Sequence, residues 1–142
     1  MEYRKILVPI DGSPESKSAL QQAIYLAGIS GAELSLLNVV DLNRQISAFE
    51  QVSTGGYVPG ELKEKGYARL AECMHEVPRE IRAKTIVVVG APTDMIVETA
   101  EQGGFDLVVM GSRGRGAIET LVMGGVSQYV LHHAACPVMI VR

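Results

Sequence analysis

Five glycines and two arginines crowd the stretch GSRGRGAIETLVMGGVSQYV, residues 111–130, directly after the apolar run DLVVM. Backbone without side chains exposes N–H groups, and arginine presents a planar fork of donors, so this composition suits an anion with several oxygens, such as a polyphosphate. Gly111, Gly114 and Gly116 form one cluster, and Gly124-Gly125 forms a second, starting ten residues after Gly114. Val126, Val130 and Leu131 then resume helical spacing, which predicts a helix beginning near Gly125. A helix start carries orphan N–H donors and a partial positive charge. The loop at 111–116 and the helix start at 124–127 are thus two donor sets able to close on phosphates from two sides, with Arg113 and Arg115 adding bidentate contacts. Two better-known phosphate motifs do not fit. Gly111 to Gly116 has the Walker spacing, but Ala117 and Ile118 replace the lysine and the hydroxyl residue, and no first strand-helix turn completes a GxGxxG fingerprint.

Such donors matter only if the chain brings them together. The run KILVPI (5–10) is almost continuously apolar, as in a strand covered on both faces. Ser13, Pro14 and Glu15 then supply a helix cap, a proline for the first helical position and an acid for the first turn. Ala19, Leu20, Ala23, Ile24 and Ala27 give that helix one apolar stripe, and Gly28 and Gly31 read as its end. AELSLLNVV (32–40) is a second strand. Residues 41–60, DLNRQISAFEQVSTGGYVPG, lack periodicity and read as a long variable loop, a length that goes with a lid, a contact surface or a disordered segment. A helix is predicted over 61–77, with Leu62, Leu70, Cys73, Met74 and Val77 on one face and Gly66 on the same stripe. KTIVVVG (84–90) is a third strand. Pro92 opens a further helix, with Ile96, Val97 and Ala100 inward and Gly103-Gly104 as its stop. FDLVVMG (105–111) and CPVMIVR (136–142) are the fourth and fifth strands.

Strands alternating with helices predict one α/β domain over residues 1–142. Its expected form is a doubly wound, five-stranded parallel sheet in the order 3-2-1-4-5, with helices on both faces. Ligands in such sheets sit beyond the carboxyl ends of the strands, where the winding reverses, which here falls between the first and fourth strands. The segments leaving those strands are PIDGS and MGSRGRG, so both glycine-rich exits converge on one crevice. Asp11-Gly12 suits an ordinary strand-to-helix turn as well as a ligand contact there. Arg113 and Arg115 likewise suit solvated loop charges as well as phosphate ligands.

Bulk properties narrow the function classes. A net charge of −3 and a pI near 5.6 provide no field that would gather nucleic acid or an anionic membrane surface. Tryptophan is absent and aromatics make up 5%, which disfavours a base-stacking surface. No apolar run reaches the roughly 20 residues that span a bilayer. The opening MEYRKILVPIDGS lacks a small-residue cleavage site, and two cysteines, Cys73 and Cys136, suit a reducing cytoplasm, so a cytoplasmic location is expected. His132 stands four residues before Cys136, but Pro137 ends the helix and no further ligand completes a metal set, so both cysteines read as core. Ser13 and Ser16 lie near the crevice with no histidine beside them in the predicted layout, so no catalytic residue is assigned.

The glycine spacing resembles that of one family. Universal stress proteins of the UspA family carry G-x2-G-x9-G-(S/T) after their fourth strand, and Gly111, Gly114 and Gly124 stand at that spacing. ILVPIDGSPESKSAL resembles the family's opening strand and helix, VVGAPTDMIVETAEQGGFDLVVMGSRGRG its third helix and fourth strand, and GGVSQYVLHHAACPVMIVR its last helix and strand. Residues 41 to about 83 match little beyond helix placement. The resemblance implies an adenine nucleotide, ATP, ADP or AMP, with or without magnesium. It implies Pro9, Asp11 and Val39 around adenine and ribose, with Asp11 accepting from a ribose hydroxyl. Met110 and Gly111 would continue that wall, and Gly114, Gly124 and the amides of Gly125 and Val126 would hold the phosphates. One position departs: Gly125 stands where the pattern has Ser or Thr. Its N–H survives, but the lost hydroxyl bond is worth about 0.5–1.5 kcal/mol, up to about tenfold in affinity. Ser127 compensates in part if it points inward.

The function read from these features is a nucleotide-binding stress-response regulator or sensor, acting on an unidentified protein partner by ligand-linked conformational change. Two alternatives stay open. One is a dimeric interaction module of the same family that binds no nucleotide, favoured by Gly125. The other is a slow magnesium-dependent ATPase, with Asp11 holding the ion through bound phosphate and no catalytic base or Walker lysine for fast turnover. The last strand, PVMIVR (137–142), is nearly uncharged before Arg142 and reads as an edge in need of a partner. The resemblance implies a homodimer paired through it.

Overall fold

A computed structural model gives the fold and describes residues 2–41, 58–113 and 123–142; Gly114, Arg115 and the 42–57 part of the long loop lie outside the described residues. The elements run β1 (Lys5–Pro9), α1 (Pro14–Ser30), β2 (Glu33–Val40), α2 (Val58–Met74), β3 (Ala83–Val89), α3 (Pro92–Gln102), β4 (Leu107–Gly111), α4 (Gly125–His133) and β5 (Val138–Val141). All strand pairs are parallel and the order is β3-β2-β1-β4-β5, as the sequence pattern predicts. Period-2 alternation divides the core between the two faces of the sheet. Ile6 and Val8 point to the side where Ala19, Leu20, Ala23 and Ala27 of α1 and Leu70 of α2 pack. Leu7 and Val108 point to the other side, onto Ile96 and Ala100 of α3 and Val130 of α4. Among the described residues no helix is long and apolar enough to cross a membrane.

The β1–β4 pair, whose exits bound the crevice, is fixed in register by a carboxylate. Asp106 Oδ2 accepts from the main-chain N–H groups of Arg4 and Lys5, at 2.8 and 2.9 Å, and its own N–H donates to Lys5 O at 2.9 Å. Ile6 thereby sits opposite Leu107 and Leu7 opposite Val108.

Three helix boundaries differ from the sequence reading, among them the end of α2, which stops at Met74 and not at Val77. Gly28 lies inside α1, which continues to Ser30; the stop is Gly31 alone, in the left-handed conformation (φ 77°), with its N–H on Ala27 O at 2.8 Å. α2 begins at Val58, so Pro59 and Gly60 belong to its first turn rather than to the loop. A first-turn proline loses nothing there, because that N–H has no helical acceptor. Gly66 of α2 is required by packing. A Cβ there would lie 2.7 Å from Asn38 Oδ1 and 3.1 Å from Val87 Cγ1, so the missing side chain lets the helix approach the sheet.

Candidate functional site

The chain leaves β1 through Ile10 and turns at Asp11-Gly12. Asp11 Oδ1 accepts the N–H of Ser13 at 2.9 Å, and Gly12 has φ 86°, a conformation that needs the missing Cβ. Ser13 caps α1 by accepting from Ser16 N–H at 3.1 Å, while Ser16 Oγ donates back to Ser13 O at 2.9 Å. Glu15 adds a negative charge in the same turn. The N-terminus of α1 is therefore already served by the protein's own groups.

Two side chains from other elements hold this turn from below. Asn38, buried at the end of β2, donates from Nδ2 to Ile10 O at 2.8 Å. Arg69 of α2 donates from Nη1 to Asp11 O at 3.0 Å, and its guanidinium lies over Gly12, with Cζ 3.3 Å from the place a Cβ would take. Consecutive carbonyls, Ile10 and Asp11, are thus gripped by an amide and a guanidinium that stand outside the turn. A cavity of about 340 Å³, lined by Ile10, Gly12, Lys17, Arg69, Glu72 and Cys73, opens beside this grip. Burial, with Glu76 nearby, pushes the Cys73 thiol above its ordinary range, so a reactive thiolate is not built there.

The β4 exit meets the start of α4. Gly124 N–H donates to Ser112 O at 2.7 Å, and Ser127 Oγ donates towards Ser112 O at 2.7 Å and Gly111 O at 3.1 Å. Ser112 N–H is in turn on Val141 O at 2.7 Å. The described parts of the two glycine clusters are therefore stitched together at the carboxyl end of β4. The N-terminus of α4 contrasts with that of α1: its cap, Gly124, makes no side-chain hydrogen bond, and its first turn holds no acid. The amides of Gly125 and Val126 lie in this turn, where the helix offers no acceptor. A Cβ built on Gly125 would meet nothing within 4 Å.

The expected site residues separate into two groups. Asp11, Val39, Arg113 and Val126 are partly exposed, and Gly125 is exposed. Pro9, Met110, Gly111, Gly124 and Ser127 are buried. Met110 packs in the α3–α4 core, and Val39 packs against it, so the apolar wall at this edge is continuous with the core. Gly111 has no positive φ, and its glycine answers to packing and not to a turn: a Cβ there would lie 2.7 Å from Glu15 Cβ and 2.8 Å from Glu15 main-chain carbon, so close approach of α1 demands glycine. Ser127 points inward as required, but its proton goes to main-chain carbonyls, so it ties α4 to β4 instead of replacing the missing hydroxyl at Gly125. Arg113 is not a solvated loop charge; its Nη2 lies 3.3 Å from Glu15 Oε1. Sequence reading missed Asn38 and Arg69. A signal existed for each: a lone amide in the apolar strand LSLLNVV, and an arginine three residues past Gly66, where α2 comes closest to the sheet.

Comparison with known proteins agrees with this architecture. The model of the universal stress protein family matches residues 2–142. The universal stress protein YxiE of Bacillus subtilis is 35% identical over 150 aligned positions, covering 99% of each chain. The solved structure of universal stress protein UspA from Lactobacillus plantarum superposes with a TM-score of 0.82 at 28% identity, covering 100% of this chain and 99% of that one. A universal stress protein solved in complex with cAMP superposes with a TM-score of 0.65 at 25% identity, covering 100% of this chain and 99% of that one. With the strand order, the match over nearly the whole chain and the identity to a curated relative in agreement, the chain belongs to the universal stress protein family.

Proposed function

We propose that this protein binds an adenine nucleotide across the exits of β1 and β4 and acts as a regulator whose ligand changes what a protein partner meets. The observation that carries the reading is the contrast between the two helix starts at this crevice. Ser13 and Glu15 serve α1, whereas among the described residues α4 has no capping side chain and no first-turn acid, and the hydrogen bonds of Gly124 and Ser127 hold it against the β4 exit. An anion gains most where first-turn amides and the helix dipole are unanswered. Asp11, at the neighbouring exit, supplies a carboxylate on the side where a ribose would lie, and the partly exposed Val39 supplies apolar surface for a base. The relative bound to cAMP supports adenine nucleotides as the ligand class.

Arg69 is the route by which occupancy reaches the rest of the molecule in this reading. It joins the Asp11 turn to α2, so a ligand that prefers one position of the turn biases the helix as well. Isothermal titration of the full chain with ATP, ADP, AMP and cAMP at low salt tests the proposal. Saturable heat with at least one of them supports it, and none with any refutes it.

A homodimer paired through β5 forms part of the same proposal. β5 is the outer strand of the sheet and pairs only with β4 among the described residues. Residues 137 and 141 give their carbonyls to Val108 N–H and Ser112 N–H, so by parallel-sheet alternation Val138 and Ile140 turn their main-chain groups to the open edge. An edge of this kind is a template for a second strand.

A further inference from the structure

Arg113 stands two residues beyond Gly111, and its guanidinium is held by Glu15: Nη2 to Oε1 is 3.3 Å, with the two side chains 33% and 20% exposed. The base of the Glu15 side chain is set by close packing of its main chain against Gly111, where a Cβ would lie within 3.0 Å of the Glu15 carbon and oxygen. It also occupies the first turn of α1, where the helix dipole favours a carboxylate. One acid thus serves a helix start and an arginine at the mouth of the crevice together. A phosphate group that recruits Arg113 must take it from this carboxylate, or share it, while bringing its own negative charge close to Glu15.

Resting on the nucleotide-binding reading above, we infer that Glu15 is a specificity-determining residue of that site. It competes with the ligand's phosphates for Arg113 and so flattens the gain in affinity that each added phosphate would give. Adenosine, which has no phosphate to engage Arg113, is indifferent to Glu15. The pair is only partly shielded, so the competition is moderate and not absolute.

The experiment titrates adenosine, AMP, ADP and ATP into four full-length proteins at one low ionic strength: wild type, Glu15→Gln, Arg113→Gln and the double variant. Thermal melts confirm that each is folded. In Glu15→Gln the expected result is adenosine affinity unchanged within about twofold and ATP binding about three- to tenfold tighter. In the Arg113→Gln background the same change of Glu15 is expected to do nothing. If ATP affinity does not rise in Glu15→Gln, the inference fails while nucleotide binding stands. If the rise persists without Arg113, the carboxylate acts by general repulsion and the competition is again overturned. If no protein binds any of the four compounds, the nucleotide reading fails and takes this inference with it.

Discussion

Arg69 and Asp11 are 58 residues apart in the chain, yet Arg69 Nη1 donates to the Asp11 main-chain oxygen at 3.0 Å. The contact leaves the aspartate carboxylate to the turn, where Oδ1 holds Ser13 N–H, and fixes the turn from the opposite side. A hydrogen bond from a charged donor contributes about 1.5–3 kcal/mol when shielded and less when partly exposed, as here. Arg69→Ala is therefore expected to lower stability by about 1 kcal/mol and to weaken adenosine, AMP and ATP by one common factor of about three- to tenfold. The common factor is the diagnostic part, since Arg69 acts on the Asp11 turn and not on phosphates. Titration of the three ligands checks it; a loss that grows with phosphate number would contradict it.

What could be read in the sequence is what is local. Ser13, Pro14 and Glu15 announce the start of α1 because capping, proline geometry and the dipole operate within one turn. The alternation of apolar runs with striped helices points to a doubly wound parallel sheet, since right-handed crossovers leave few arrangements. The start of α4 at Gly125 follows in the same way from spacing. Asn38 and Arg69 each stand out in the sequence, but their joint grip on the Asp11 turn does not. It depends on where α2 crosses the sheet, and that is set by Gly66 against Asn38 and Val87, a relation between three elements. Gly111 shows the converse: its presence was visible, but its reason is a helix whose contacting residue, Glu15, lies 96 residues earlier in the chain. The pairing of Arg113 with Glu15 is hidden for the same cause, because neither residue's neighbours in sequence name its partner in space.

Gly111→Ala tests the close approach. The added methyl would meet the Glu15 Cβ and main chain at 2.7 to 3.0 Å, and neither can swing aside as a flexible side-chain tip would. Overpacking of this kind costs about 1–3 kcal/mol. Urea denaturation should show the midpoint falling with little change in slope. A variant as stable as wild type would show that α1 and β4 separate easily and that the glycine has another reason.

Gly125→Ser is expected to behave oppositely. Nothing lies within 4 Å of the new Cβ, and the residue is exposed at the first position of α4. The fold should accept the change within about 0.5 kcal/mol, as for other unencumbered surface substitutions. Under the nucleotide-binding proposal, the hydroxyl adds about 0.5–1.5 kcal/mol to a phosphate contact, so ATP binds up to about tenfold tighter while adenosine is unchanged. Equal effects on adenosine and ATP would place the phosphates elsewhere.

The cysteines give a prediction in pH. Burial, seconded by Glu76 at Cys73 and by Asp106 at Cys136, raises both thiols above their ordinary range. At neutral pH each should alkylate more slowly than a free thiol, with rates that climb only in alkaline solution. The sign for stability follows: with folded values above unfolded ones, the contribution is complete below the unfolded value and is lost as pH rises through the folded one. Mass-spectrometric alkylation against pH checks the first point, and fast labelling at pH 7 would contradict it.

The edge strand supplies the last prediction. Val138 and Ile140 direct main-chain groups outward, because residues 137 and 141 spend theirs on β4. Ile140→Pro deletes one outward donor, leaving the β4 ladder formed by Val108 and Ser112 N–H groups in place. Val138→Lys puts a charge on the same strand, a device that blocks edge-to-edge pairing in natural sheets. If two chains join through β5, each variant should sediment as a monomer at concentrations where the wild type sediments as a dimer, while far-ultraviolet circular dichroism stays the same. Because the proline acts on the main chain and the lysine on charge, concordant loss of the dimer in both points to strand pairing itself. A dimer that survives both changes would have to be built on another face, and β5 would then need a different cover for its outward N–H and C=O groups.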